Sequence, residues 1–149
     1  SGTLNVPGIV GMGKAAELAE KEREARTEHV RTLRDRMWEQ IDDELDDVRL
    51  NGPPVDGERL PNNLNVSFRG AENKAFVRKV REDIAVSAGS ACTTGSVEAS
   101  HVLEAVGNDE QIWHSAIRFG IGKDTTREEI DYTVDRITES VNRLRRLSF

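Results

Sequence analysis

The only cysteine of the chain, Cys92, lies in a run of small and hydroxyl side chains that cannot shield a thiol from water. A free cysteine that fills a core packs as a small hydrophobe among large apolar side chains. The neighbours here are small instead: Ser90, Ala91, Thr93, Thr94 and Gly95. Because the reactivity of a thiol depends on its exposure and surroundings, we predict that Cys92 is a functional thiol and not core filler.

Arg118 is the second residue whose type and position suggest chemistry. It lies inside a strand-like stretch between Ile117 and Phe119, and alternation would place it on the face opposite those two side chains. A guanidinium in such a position binds a carboxylate through two parallel hydrogen bonds. That carboxylate could belong to the protein or to a ligand, and the residues alone favour a structural salt bridge.

Three histidines could act as a base for the thiol, and His114 could lie near the loop, but the sequence fixes none of them beside Cys92. His29 lies in a highly charged helical stretch, His101 in a short helix, and His114 just before the strand of Arg118. No pair of cysteine and histidine has the spacing of metal ligands, so we expect no metal site. A cysteine protease of the Cys/His/Asn type remains an alternative of little weight.

Composition excludes several classes of function. The net charge is −6, and no basic stripe with interleaved aromatic residues is present, which argues against nucleic-acid binding. No apolar run approaches the ~20 residues of a membrane span. A single cysteine in 149 residues fits a reducing compartment, and we expect a cytoplasmic protein. Because the chain begins Ser1-Gly2-Thr3 without methionine, we expect a fragment or a processed piece.

Hydrophobic spacing predicts the elements that would position Cys92 and Arg118. Apolar residues at helical spacing predict one long helix over Lys14 to Leu45, with a charged middle, after a glycine-rich leading segment. Three further helices are predicted: Glu72 to Glu82, Ala99 to Val106, and a last one that opens with a capping box at Thr126 to Glu129. The last helix carries an apolar stripe of Ile130, Val134, Ile137, Val141 and Leu144. Four strands are predicted: Val48 to Leu50, Leu64 to Phe68, Ile84 to Val86 and Ser115 to Gly120.

The mixed order of these elements favours an α+β fold, with a small, mainly antiparallel sheet and helices packed on one face. We expect one domain. Its residues 1–45 would form the leading segment and a long linking helix, and residues 46–149 an α+β body that carries the cysteine loop, residues 87–98.

Five stretches together resemble one family, the pyridoxal-phosphate-dependent cysteine desulfurases of the NifS/IscS type, which are class V aminotransferases. The two most specific are S-A-G-S-A-C-T-T-G-S-V-E-A-S-H-V-L-E-A-V-G (Ser87 to Gly107) and H-S-A-I-R-F-G-I-G (His114 to Gly122). The start of the chain, L-P-N-N-L-N-V-S-F (Leu60 to Phe68) and T-T-R-E-E-I-D-Y-T (Thr125 to Thr133) agree in the same order. The resemblance implies the C-terminal small domain of a fold-type I transferase.

The resemblance also implies roles for the two residues. Cys92, in an active-site loop with Ser90, Ala91 and Thr93, would take the sulfur of a substrate L-cysteine bound to pyridoxal phosphate. The products would be L-alanine and a persulfide on Cys92, and the loop would carry the sulfur to an iron–sulfur scaffold or another acceptor protein. Arg118 would bind the substrate α-carboxylate, which reverses the preference from the residues alone. The full-length enzyme would be a homodimer.

The chain departs from the family pattern in one main respect. The lysine, histidine and aspartate that hold the cofactor belong to a preceding large domain, and the five lysines of this chain stand in other contexts. We therefore expect the isolated chain to be inactive. Ala88, Ala99 and Gly120 replace residues that are usual in the family, and leave Cys92 and Arg118 in place. A non-catalytic persulfide carrier or partner-binding module, and a plain α+β domain with an inert thiol, remain alternatives.

Overall fold

The computed structural model describes residues 2–88, 101–106 and 110–147. Along these residues the elements follow in the order α1 (Val6–Glu44), β1 (Val48–Leu50), β2 (Asn63–Phe68), α2 (Asn73–Val80), α3 (His101–Ala105), α4 (Glu110–Trp113), β3 (Ala116–Gly120) and α5 (Arg127–Leu147).

The three strands form one antiparallel sheet with β2 in the centre. Strand β1 pairs with β2 so that Leu50 lies opposite Val66, and β2 pairs with β3 so that Asn65 lies opposite Arg118. The long helices lie on one face of this sheet. The α+β class that the sequence predicts is therefore confirmed.

The hydrophobic core fills the space between the sheet and the long helices. Successive side chains of a strand point to opposite faces, so every second side chain points toward these helices. The core residues of the strands are Leu64, Val66, Phe68, Ile117 and Phe119, and those of the long helices include Met37, Ile41, Val134, Ile137 and Val141. The ring of Phe68 stacks on that of Phe76 in α2, with ring centroids 5.8 Å apart. The apolar stripe that the sequence predicts in α5 is thus the stripe that the fold buries.

Helix α1 is longer than the sequence predicts, because it begins at Val6 and not at Lys14. The Asn5 side chain caps it by accepting a hydrogen bond from Gly8 N at 3.2 Å, and Pro7 lies in its first turn. Glycine is a poor helix former. Because Gly8, Gly11 and Gly13 lower the helix propensity of this segment, the sequence did not predict its first two turns. An N-terminal cap and a proline in the first turn are the signals that reveal it.

A buried arginine joins α1 to the long connection between β1 and β2. Arg34 is only 1% exposed, and it donates to the carbonyl oxygens of Val55 at 2.7 Å and Leu60 at 3.3 Å. Its guanidinium also pairs with Asp35. Burial, together with the neighbouring Arg34 charge, lowers the pKa of Arg59, which donates to the Asn51 carbonyl of the same connection. This connection is therefore fixed by one arginine of α1 and by one arginine of its own.

Two short segments differ from the sequence prediction. Residues 84–86 form no strand; this segment approaches the sheet only at Ser87, in an isolated bridge to Arg118. The four-residue helix α4 was not predicted, because one turn of Glu-Gln-Ile-Trp is too short to show a periodicity.

The predicted capping box at the start of α5 is confirmed. Thr126 N donates to Glu129 Oε2 at 2.8 Å, and Glu129 N donates to Thr126 Oγ1 at 3.2 Å. Each side chain satisfies a backbone donor that the first turn of a helix leaves without an intrahelical acceptor.

A bidentate ion pair holds the two long helices together. Arg36 of α1 donates to both carboxylate oxygens of Asp131 in α5 at 2.8 and 2.9 Å, and Gln40 donates to the same carboxylate at 3.1 Å. The hydrogen bonds from Arg36 lower the pKa of Asp131, and Asp131 in turn raises the pKa of Arg36.

Asp131→Asn should therefore lower the melting temperature of the chain at neutral pH. Since the folded-state pKa of Asp131 is lowered, its contribution is present above the unfolded pKa of about 4 and is lost as the pH falls through the folded-state pKa. Melting curves of the wild type and the variant should converge at low pH. The matched control is Asp135→Asn, one turn further along α5, whose carboxylate has no ion pair among the described residues; an equal effect of the two changes would contradict the assignment.

Candidate functional site

The side chain of Arg118 projects from the sheet face that the long helices leave open. Its strand neighbours Ile117 and Phe119 are buried in the core, whereas Arg118 is exposed. Among the described residues it has no ion pair, so the structural salt bridge that the sequence favours does not occur there.

Backbone hydrogen bonds attach Ser87, the first residue of the predicted cysteine loop, to Arg118. Ser87 O accepts from Arg118 N at 2.7 Å, and Ser87 N donates to Arg118 O at 3.2 Å. In such a pair the two Cα atoms lie about 5.5 Å apart and both side chains point to the same face. The structure thus brings the start of the loop beside the guanidinium.

The other predicted residues of the loop are Ser90, Ala91, Cys92 and Thr93. They lie outside the described residues, so their roles stay predictions.

Arg118 is one member of a polar row that crosses the sheet. Asn65 lies opposite it on β2. On the far side of Asn65, beyond the end of β1, Asn51 joins the row through a backbone hydrogen bond from Asn51 N to Asn65 O at 2.9 Å. The row therefore runs Asn51, Asn65, Arg118, Ser87 from one edge to the other.

Side-chain hydrogen bonds fix the orientation of two members of this row. The Asn51 side chain, which is 5% exposed, donates through Nδ2 to Asn65 Oδ1 at 2.7 Å and to Ser67 Oγ at 2.8 Å. The Ser67 hydroxyl donates to the Ile112 carbonyl of α4 at 3.0 Å. Sequence reasoning did not single out Asn51, Asn65 or Ser67. The only available signal was the alternation of polar and apolar residues in β2.

The segment that leads into β3 is tied to α2. Asn73 N donates to His114 O at 2.8 Å, and Asn73 Nδ2 donates to Trp113 O at 3.0 Å. Phe68 N also donates to Ser115 O at 3.1 Å. These bonds fix where β3 begins, and hence the register that places Arg118 opposite Asn65.

A cavity of about 510 Å³ lies on the other side of β3, beneath residues 83–86. Its walls include apolar Met37, Ile84 and Phe119 together with Asp83 and Tyr132, whose hydroxyl donates to Asp83 at 3.2 Å. Arg118 does not line this cavity. It is therefore separate from the row on the open face.

The side-chain contact of His29 lies at the head of α5 and not in this row. His29 is exposed, and its Nε2 donates to the Thr125 carbonyl at 2.9 Å, at the head of α5. All five lysines are exposed: Lys14, Lys21, Lys74, Lys79 and Lys123. Among the described residues, no group of histidine, cysteine, aspartate or glutamate side chains could hold a metal ion. No described helix is both long and apolar enough to cross a membrane.

Residues 1–133 match the family described as aminotransferase class-V. Curated relatives include the cysteine desulfurases IscS of Anaeromyxobacter dehalogenans, 51% identical over 148 residues, and of Pectobacterium carotovorum, 49% identical over 148 residues. In both, the alignment covers 99% of this chain and 36% of the relative. The chain thus spans about a third of the length of these relatives.

Solved structures give the same picture. A NifS-like protein superposes with a TM-score of 0.77 at 33% identity, over 93% of this chain and 34% of its own. The NifS-like protein of Rickettsia africae has a TM-score of 0.78 over 95% of this chain and 36% of its own; at 23% identity, it supports the fold alone.

Ser87→Pro should weaken the bridge beside Arg118, because proline removes the N–H that donates to Arg118 O. A single backbone hydrogen bond contributes about 1 kcal/mol, so the Arg118 amide, which donates back to Ser87, should exchange its hydrogen about fivefold faster. Hydrogen exchange followed by NMR measures this rate. The control is Ala85→Pro, because Ala85 N makes no hydrogen bond among the described residues; equal acceleration in both variants would argue against the bridge.

Proposed function

The chain belongs to the aminotransferase class-V family, and we propose that it forms the C-terminal small domain of a cysteine desulfurase. The observation that carries the proposal is the bridge between Ser87 and Arg118. It brings the start of the cysteine loop beside a guanidinium that has no ion pair among the described residues. The reaction is proposed from the relatives at about 50% identity, which are cysteine desulfurases.

The first turns of α1 support a place within a larger protein. Large apolar side chains in these turns and just before them are exposed: Leu4 by 72%, Val6 by 58%, Ile9 by 52%, Val10 by 66% and Met12 by 71%. A contiguous exposed apolar surface of this kind marks an interface more often than a free surface. We propose that this apolar surface packs against the rest of the full-length protein, which makes up about two thirds of the relatives' length.

Pyridoxal phosphate is the cofactor that the family resemblance implies, and the residues of this chain do not fit the role of its attachment site. A lysine that binds the cofactor covalently is desolvated in a pocket, which lowers its pKa. All five lysines here are exposed. The proposal therefore assigns the cofactor to the rest of the full-length protein.

Cys92 carries the sulfur in this proposal. Its thiolate attacks the sulfur of a substrate L-cysteine, the Cβ–S bond of the substrate breaks, and a new S–S bond forms on Cys92. The substrate Cβ gains a proton, so that the products are L-alanine and a persulfide. A thiolate of an acceptor protein then attacks the outer sulfur and regenerates Cys92.

Arg118 holds the substrate in place by its α-carboxylate, with the bidentate geometry that guanidinium groups favour. Cys92 follows Ser87 by five residues, a span of at most about 18 Å for an extended chain. Since Ser87 is paired with Arg118, the thiol can reach a substrate held at Arg118. A loop fixed at that point can also turn outward, toward an acceptor such as an iron–sulfur scaffold protein. The proposal includes a homodimeric, cytoplasmic full-length enzyme.

Cys92→Ala in the full-length protein should abolish the formation of L-alanine from L-cysteine, because the variant has no thiolate to accept the sulfur. Binding of L-cysteine should be retained, since Arg118 is untouched. Amino-acid analysis measures the alanine, and calorimetry measures the binding. Turnover at the wild-type rate would exclude Cys92 as the nucleophile.

Arg118→Gln in the full-length protein should raise KM for L-cysteine about 10- to 100-fold, which is the range for one hydrogen bond to a charged group. Steady-state kinetics measures the change. The matched control is Arg49→Gln: Arg49 is also exposed, lies on β1, and has no ion pair among the described residues. Equal effects of the two substitutions would mean that general charge, and not Arg118, governs binding.

The exposure of all five lysines also supports a second candidate function, a persulfide carrier that works without the cofactor. The isolated chain, mixed with inorganic polysulfide, should then gain 32 Da on Cys92, the mass of one sulfur atom, and pass it to an added thiol. Mass spectrometry before and after thiol addition measures both steps. An unreactive Cys92 would remove this candidate.

A further inference from the structure

We infer that the side-chain amide of Asn65 is a second donor to the substrate carboxylate held by Arg118, and that Asn51 and Ser67 orient it. This inference rests on the proposed role of Arg118. It adds a substrate-binding residue and two positioning residues, on strands that precede the cysteine loop.

The orientation of Asn65 follows from a carbonyl group at the far end of a hydrogen-bond chain. The Ile112 carbonyl can only accept, so the single proton of the Ser67 hydroxyl goes to it. Ser67 Oγ must then accept from Asn51, which requires the NH2 group of Asn51 on that side. The same NH2 group donates its other hydrogen to Asn65, and the oxygen of Asn65 therefore faces Asn51.

With its oxygen toward β1, the NH2 group of Asn65 points away from β1, on the side of Arg118. Asn65 and Arg118 lie directly opposite each other in the register of β2 and β3, where Cβ atoms are about 4.5 to 5.5 Å apart. Among the described residues, Asn65 Nδ2 has no acceptor.

Neither of these two groups can satisfy the other. A guanidinium has five donors and no acceptor, and the NH2 group of an asparagine is also a donor. Two adjacent donors on an open face, one of them cationic, can donate to the same acceptor group. A carboxylate has two oxygens with about four acceptor positions, so it can bind both groups at once.

The test uses the full-length enzyme and two ligands that differ only at the carboxyl group, L-alanine and L-alaninamide. Asn65→Asp keeps the oxygen that accepts from Asn51 and replaces only the NH2 group with an acceptor. The affinity for L-alanine, measured by calorimetry, should fall at least 10-fold, and that for L-alaninamide should not fall. Asn65→Ala should give about a 10-fold loss for L-alanine alone.

The matched control is Asn63, the same residue type on the same strand and face, which lies opposite Gly120 and not Arg118. Asn63→Asp should leave the ratio of the two affinities unchanged. A partial loss of folding would lower the apparent affinities for both ligands equally and leave their ratio at the wild-type value. The ratio therefore reports on the carboxylate contact and not on stability.

Asn51→Asp tests the positioning role without a change at Asn65. The new carboxylate can only accept, so the Asn65 amide should turn by 180° to donate to it, and its oxygen should then face Arg118. The ratio of L-alanine to L-alaninamide affinity should fall as in Asn65→Ala. An unchanged ratio would overturn the positioning role.

The outcomes separate this inference from the proposed function. If Asn65→Asp keeps the wild-type ratio while Arg118→Gln loses it, Asn65 does not bind the carboxylate and the role of Arg118 stands. If Arg118→Gln also keeps the wild-type ratio, the carboxylate site itself is wrong, and the inference falls with it.

Discussion

The packing of the long helices on one face of the sheet governs the rest of the structure. Because successive residues of a strand point to opposite faces, β2 and β3 must supply apolar residues toward α1 and α5 and can present polar residues on the other face. Val66 and Ile117 fill the first role, and Asn65 and Arg118 the second. A change of register by one residue would exchange the two sets. The core thereby fixes which polar side chains stand next to one another.

The polar face is ordered by hydrogen bonds, whereas the apolar face is ordered by packing. Asn51 is buried and satisfied by Asn65 and Ser67, and Ser67 by the carbonyl of Ile112. Because the chain of hydrogen bonds ends on a carbonyl that can only accept, each amide in it has one preferred orientation. Since α4 supplies the terminal acceptor, this short helix helps to orient the amide group of Asn65 on β2.

The sequence predicted the structure best where interactions between residues close in sequence determine it. The stripe of α5 and its capping box at Thr126 were predicted because burial and backbone satisfaction act locally. Segment 84–86 was predicted as a strand from its apolar residues alone, but pairing with β3 occurs only at Ser87. Pairing depends on the partner strand, which local composition does not describe. For the same reason the sequence could place Arg118 on a face, but could not identify Asn65 as its neighbour.

The short strand β1 forms one edge of the described sheet, and this has a consequence for solubility. An edge strand offers backbone groups that can pair with another molecule and begin aggregation. This one is three residues long, carries the exposed charge of Arg49, and is followed within a few residues by Pro53 and Pro54, which lack the donor that a ladder requires. The brevity of β1 thus limits intermolecular growth of the sheet.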